Sequence, residues 1–160
     1  MTDKPRLYEE LARQLVALID GEPDLIANCA NMAALIYHGL PELNWAGFYF
    51  TRQAELVLGP FQGKPACVRI HWGEGVCGAA AARQASIVVS DVHEFPGHIA
   101  CDPASRSELV VPLVADGRVL GVLDLDSPVA SRFDADDRAG CERLVALLLA
   151  HQPRWPEAFA

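Results

Sequence analysis

Apolar residues recur at helical spacing from about Leu7 to His38, first Leu7, Leu11, Leu15 and Leu18, then Leu25, Cys29, Met32, Leu35 and Ile36. Asp20-Gly21-Glu22-Pro23 interrupts the run and predicts two helices joined at that break. The pattern then becomes alternating. In NWAGFYF, Trp45, Gly47 and Tyr49 face one way and Ala46, Phe48 and Phe50 the other, which predicts a strand. A turn at Thr51-Arg52-Gln53 leads to a return strand, Glu55–Leu58, which Gly59-Pro60 is expected to end. Cys67–Trp72 resumes extended structure. After the Gly73-Glu74-Gly75 turn, VCGAAAARQ reads as a short helix and Ser86–Ser90 as a buried strand. A long irregular passage follows, from Asp91 to Ser107. ELVVPLVA and RVLGVLDLD flank Asp116-Gly117, a strong two-residue hairpin signal. Phe133-Asp134 to His151 closes as a helix, capped by Asp134 or Asp136, with Cys141, Leu144, Val145 and Leu148 on one face.

Hairpins outnumber βαβ crossovers in this order, so an α+β domain is expected. It would hold one central antiparallel sheet backed by the N- and C-terminal helices. The loops of the other face, above all 59–66 and 91–107, would cover a pocket. At 160 residues and 51% apolar content, one domain over 1–160 with a well-buried core is expected. A net charge of −8 without clustered Lys and Arg argues against nucleic acid and anionic membranes. The start, MTDKPRLYEELARQ, has no apolar segment after a basic stretch, so it does not read as a secretory signal. No run approaches a membrane span. A soluble, cytoplasmic protein with reduced cysteines is expected.

Those cysteines carry the candidate chemistry. Cys29 and Cys141 fall on apolar helix faces and read as core. Cys67, Cys77 and Cys101 lie instead in turn-rich stretches, GPFQGKPAC, GEGVCG and FPGHIACD, where a sulfur can be exposed. On local electrostatics Cys77 is the best nucleophile, because it opens a helix whose dipole favours a thiolate. A small residue packed in a tight turn explains it equally well. Cys101 sits beside Asp102 and three residues after His98, which would stabilise a thiolate if protonated; a solvated loop histidine is the plainer reading. A zinc site from Cys67, Cys77, Cys101 and one of His71, His93 or His98 lacks the paired spacing of structural zinc, so no metal is expected.

Asp124 and Asp126 share one face of the last strand. With a strict two-residue turn, Glu108 would pair with Leu125 and face away from both. One bulge, at Pro112 or Gly121, would bring the three carboxylates together. They would then suit a ligand ammonium and raise one another's pKa enough to supply a proton. Solvated strand ends are the simpler alternative.

NWAGFYF, LGPFQGKPACVRI, GEGVCGAA, DVHEFPGHIACDPASRSELVVPL and GVLDLDSP, in that order, resemble the free methionine-(R)-sulfoxide reductases, a catalytic branch of the GAF-domain superfamily. The resemblance runs from about Asn44 to the closing helix. It implies a GAF-like fold and reduction of free L-methionine (R)-sulfoxide, with no cofactor. It implies that Cys101 attacks the sulfoxide sulfur and becomes a sulfenic acid. Cys67 then condenses with it to a disulfide, which thioredoxin or a similar dithiol reduces. Cys77 is left as helper, alternative resolver or neighbouring residue. Glu108, Asp124 and Asp126 match the family's acids for the ammonium and the sulfoxide proton, and Trp45 its aromatic wall for the S-methyl group. A core tryptophan is the other reading of Trp45. A homodimer through the terminal helices fits the same superfamily. Two other functions stay open: a non-catalytic GAF small-molecule sensor, and a thiol peroxidase or redox sensor.

Overall fold

The computed structural model describes residues 3–99, 101–152 and 154–155. The ends of the expected 1–160 domain, residues 1–2 and 156–160, lie outside that description, as do Ala100 and Pro153. Two helices open the chain, α1 (Lys4–Ile19) and α2 (Leu25–Gly39), and they break where the punctuation predicts. Asp3 and Asp24 cap them by accepting from the N–H groups of Arg6 and Ala27. Six strands follow: β1 (Trp45–Arg52), β2 (Glu55–Gly63), β3 (Arg69–His71), β4 (Ile87–Val89), β5 (Ser107–Ala115) and β6 (Arg118–Ser127). Helix α3 (Gly75–Arg83) lies between β3 and β4, and α4 (Ala135–His151) closes the chain. Asp134 caps α4 in a reciprocal box with Asp137. Among the described residues no helix is long and apolar enough to cross a membrane.

The strands form one sheet in the order β3-β2-β1-β6-β5-β4, every described pair antiparallel. This is the expected α+β architecture. The alternation of β1 sorts its residues onto two faces. Ala46, Phe48 and Phe50 join a core built with α1, α2 and α4, whereas Trp45 and Tyr49 join a second cluster with Cys77 and Ala80 of α3. Phe48, fully buried at 0% exposure, contributes about 1.5–3 kcal/mol by leaving water. Cys29 and Cys141 are buried in the helical core as expected. Burial pushes each thiol up to about 12.

Two strand expectations are corrected. Gly59-Pro60 does not end β2, which runs on to Gly63. The register against β1 shifts between Gly47 and Tyr49, opposite Gly59 and Pro60, and β3 pairs only with Glu55, Leu56 and Val57. The proline therefore sits at a bulge, past that ladder, where its missing N–H is tolerated. The Ser86–Ser90 segment is not fully buried either. Its strand, β4, lies at the sheet edge, and Val88 is 36% exposed.

Candidate active site

The two loops that flank the alanine-rich helix meet over the outer face of the sheet. Cys67, just before β3, is disulfide-bonded to Cys101 in the loop between β4 and β5, with Cα atoms 5.8 Å apart. Both loops are fastened to the start of β1. Trp45 Nε1 donates to the Lys64 carbonyl at 3.1 Å, and Tyr49 Oη donates to the Cys67 carbonyl at 3.0 Å. Asn44 Nδ2 donates at 3.0 Å to both Asp102 Oδ2 and Ser105 Oγ. The bridged loops roof a cavity of about 570 Å³, mouth included. Trp45 and Tyr49 form an aromatic wall, stacked with ring centroids 5.9 Å apart.

The floor is acidic because of one extra residue. Asp116 and Gly117 form the predicted two-residue turn, both with positive φ (53° and 75°). From Ala115–Arg118 to Val114–Val119 the register is strict, and it then shifts so that Leu113 faces Gly121. Leu120 is the unpaired residue, immediately before the Gly121 named from sequence. The shift moves Glu108 from opposite Leu125 to opposite Asp126, onto the face of both aspartates. All three carboxylates line the cavity. Glu108 and Asp124 are 5% and 6% exposed, and Asp126 is half-buried, so these are not solvated strand ends.

Burial, then the charges of Asp124 and Asp126, hold Glu108 well above the usual carboxylate range. Burial and then Asp124 do the same for Asp126. Burial pushes Asp124 up to about 6, against hydrogen bonds from Glu108 and Cys77 that favour its ionised form. Asp124 Oδ1 has no partner within the described residues. Such a cluster holds protons at neutral pH, or surrenders them when a cation enters.

Cys77 departs from the local electrostatic expectation. It opens α3 but is 4% exposed, and its thiol donates toward Glu108 Oε1 at 4.0 Å. Burial first, then Asp124, Glu108 and Asp126, push its pKa well above that of a free thiol. The helix dipole acting alone is outweighed by desolvation and three acids. Cys77, Glu108 and Asp124 bring their ligand-type atoms within 4.8 Å of one another. The zinc set weighed from sequence cannot form in this state, because Cys67 and Cys101 are bonded to each other.

The site draws on two residues that the sequence does not single out, Tyr49 of its wall and Asn44, which anchors its roof. Tyr49 shares the face of Trp45 two residues on, a signal that was available. Asn44 ends a loop with no pattern of its own. His98 was noted beside Cys101, yet the structure also turns its Nε2 toward Glu108 Oε2, 3.7 Å away.

A family model described as the GAF domain matches residues 22–149. The free methionine-R-sulfoxide reductase of Escherichia coli is 52% identical over 91% of this chain and 88% of its own. The Saccharomyces cerevisiae protein of the same name is 43% identical, over 91% of this chain and 86% of its own. The X-ray structure of free methionine-R-sulfoxide reductase from Neisseria meningitidis in complex with its substrate superposes with a TM-score of 0.91 at 44% identity, covering 94% of this chain and 91% of that one. On these similarities the chain belongs to the free methionine-R-sulfoxide reductases of the GAF-domain family.

Proposed function

We propose that this protein reduces free L-methionine (R)-sulfoxide to L-methionine with its own thiols. The observation that carries the reading is the Cys67–Cys101 disulfide lying across an acid-floored pocket. In the reduced protein the Cys101 thiolate attacks the sulfoxide sulfur while an acid of the floor protonates the oxygen. Methionine leaves and Cys101 keeps the oxygen as a sulfenic acid. The Cys67 thiol condenses with it, water leaves, and the disulfide forms. An external dithiol, thioredoxin or one like it, then takes the oxidation over by exchange.

A sulfoxide is a poor electrophile until its oxygen is protonated, and protonated buried carboxyls supply that need. Glu108, Asp124 and Asp126 divide two tasks: pairing with the substrate ammonium, which ionises an acid, and giving a proton, which requires a neutral one. Trp45, stacked against Phe61 with centroids 5.2 Å apart, offers the S-methyl group an apolar wall. Cys77, kept neutral, supports the acids rather than attacking. A methionine sulfoxide within a polypeptide has no free ammonium to offer and is excluded. We place the enzyme in the cytoplasm, where thioredoxin is available, and read the terminal helices as its homodimer surface.

The test is thioredoxin-coupled NADPH oxidation with the two epimers of free methionine sulfoxide and with a peptide-bound form. Turnover of the free R epimer alone is expected. No turnover with any of them, despite rapid labelling of the reduced protein at Cys101, would make it a thiol sensor instead.

A further inference from the structure

The proposed reduction leaves Glu108 with a proton to recover. If Glu108 protonates the sulfoxide oxygen, that proton stays on the Cys101 sulfenic acid and departs in the water formed with the Cys67 thiol. The proton that Cys101 gave up to become a thiolate was released to solvent. Each turnover therefore leaves a Glu108 carboxylate that must regain one proton from outside. Yet its side chain is 7% exposed, and the groups hydrogen-bonded to it or raising its pKa are Cys77, Asp124 and Asp126. These are acids or a neutral thiol, enclosed with it.

His98 stands between that floor and the mouth. Its side chain is 16% exposed, it lines the same cavity as Cys101, and its Nε2 lies 3.7 Å from Glu108 Oε2. That gap is closed by a small ring rotation or by one bridging water. Among the described residues lining the cavity it is the only imidazole. We propose that His98 is the proton relay that returns a proton from the pocket mouth to Glu108 in every turnover. The inference rests on the reductase reading above.

The surroundings suit the task. Burial and then the neighbouring His93 lower the His98 pKa, while burial and the aspartates raise that of Glu108. The two affinities thus move toward each other, the condition under which a proton passes readily between a pair. Besides Glu108 on β5 and His93 in the turn at Val92–Glu94, the ionisable groups around the cavity are Asp124 and Asp126 of β6, Cys77 of α3, Tyr49 of β1, and Lys64, Glu74 and Asp102.

The test uses the full chain with free methionine sulfoxide and saturating dithiothreitol, so that re-reduction does not limit the rate. His98→Ala and His98→Gln should release the first methionine, from enzyme equilibrated at pH 6, at close to the wild-type rate. Their steady-state kcat should fall by about tenfold or more and decline more steeply with rising pH. Imidazole should restore the Ala variant. In a Glu108→Gln background His98→Ala should cost nothing further, since the relay has no acceptor. Wild-type kcat and pH profile in both variants would overturn the relay. So would a loss already present in the first turnover and unmoved by imidazole. If the wild type itself fails to turn over, the reductase reading falls, and the relay falls with it.

Discussion

Cys101 and Cys77 line one pocket, and their surroundings assign them different work. Cys101→Ser should abolish methionine release even in a single turnover, because no sulfur remains to take the oxygen. Cys67→Ser should release about one methionine per site and then stall with thioredoxin. Normal cycling of that variant would reassign the resolving role to Cys77. Peptide mapping after one equivalent of substrate should show Cys67 bonded to Cys101, with Cys77→Ala still forming the bridge. The acids predict a pH profile. A proton donor acts only while protonated, and Glu108 is held above its ordinary value, so kcat should hold at mildly acidic pH and fall as pH rises through that raised value. Glu108→Gln should lower kcat and erase that limb, whereas loss of an ammonium partner should appear in KM. The residue types for this chemistry were legible in the chain, and the raised carboxylates followed from clustering them, but the state of Cys77 was not legible. Cys77 shows why: a helix terminus is readable locally, whereas three acids packed against it come from other strands.

The hairpin of β5 and β6 places the acid floor, and the bulge at Leu120 reconciles its pairing with the two-residue turn. Deleting Leu120 would remove the bulge but leave Leu113 opposite Gly121 and Glu108 opposite Asp126, because the residues beyond it are already paired one step on. The three carboxylates should therefore stay together, and kcat/KM should remain close to wild type. The midpoint of denaturant unfolding should drop, because the buried Leu120 side chain is lost from the helical core. Loss of activity in a deletion variant that still folds would show that the floor depends on the bulge itself and not on the pairing beyond it. Counting residues back from Asp116-Gly117 showed that the three carboxylates converge only if the hairpin carries a bulge, with Pro112 or Gly121 as its place, and the structure puts it beside Gly121. Gly121 packs so closely on β1 that a Cβ would overlap the Tyr49 carbonyl oxygen. The β2 error had the opposite origin. Gly59-Pro60 looks like a terminator when only the chain is read, and becomes a bulge once β1 pairs alongside it.

The first and last helices are locked together by one buried carboxylate. Asp137 on α4, 1% exposed at its side chain, accepts from Lys4 Nζ at 2.6 Å, Tyr8 Oη at 2.8 Å and Arg132 Nη1 at 3.3 Å. Asp137→Ala would leave the Arg132 guanidinium, 7% exposed, without its carboxylate. It should cost about 3 kcal/mol in chemical denaturation while sparing the pocket on the far side of the sheet. A loss below about 0.5 kcal/mol would show that the cluster is not what ties the ends. The contacts from α1 to Asp137 could not be read from the chain, since Lys4 and Asp137 are 133 residues apart. The sequence by itself determined the elements, the two faces of β1, the hairpin turn, the buried helix cysteines and the motif series that points to sulfoxide reduction. Those follow from periodicity and short-range turn chemistry, which act within a few residues. Only the tertiary structure decided the pocket that the bridge spans, the position of the bulge at Leu120, the neutral state of Cys77 and the approach of His98 to Glu108. Each depends on which distant strands and loops share one low-dielectric space, and burial there sets protonation and reach more strongly than any neighbour along the chain.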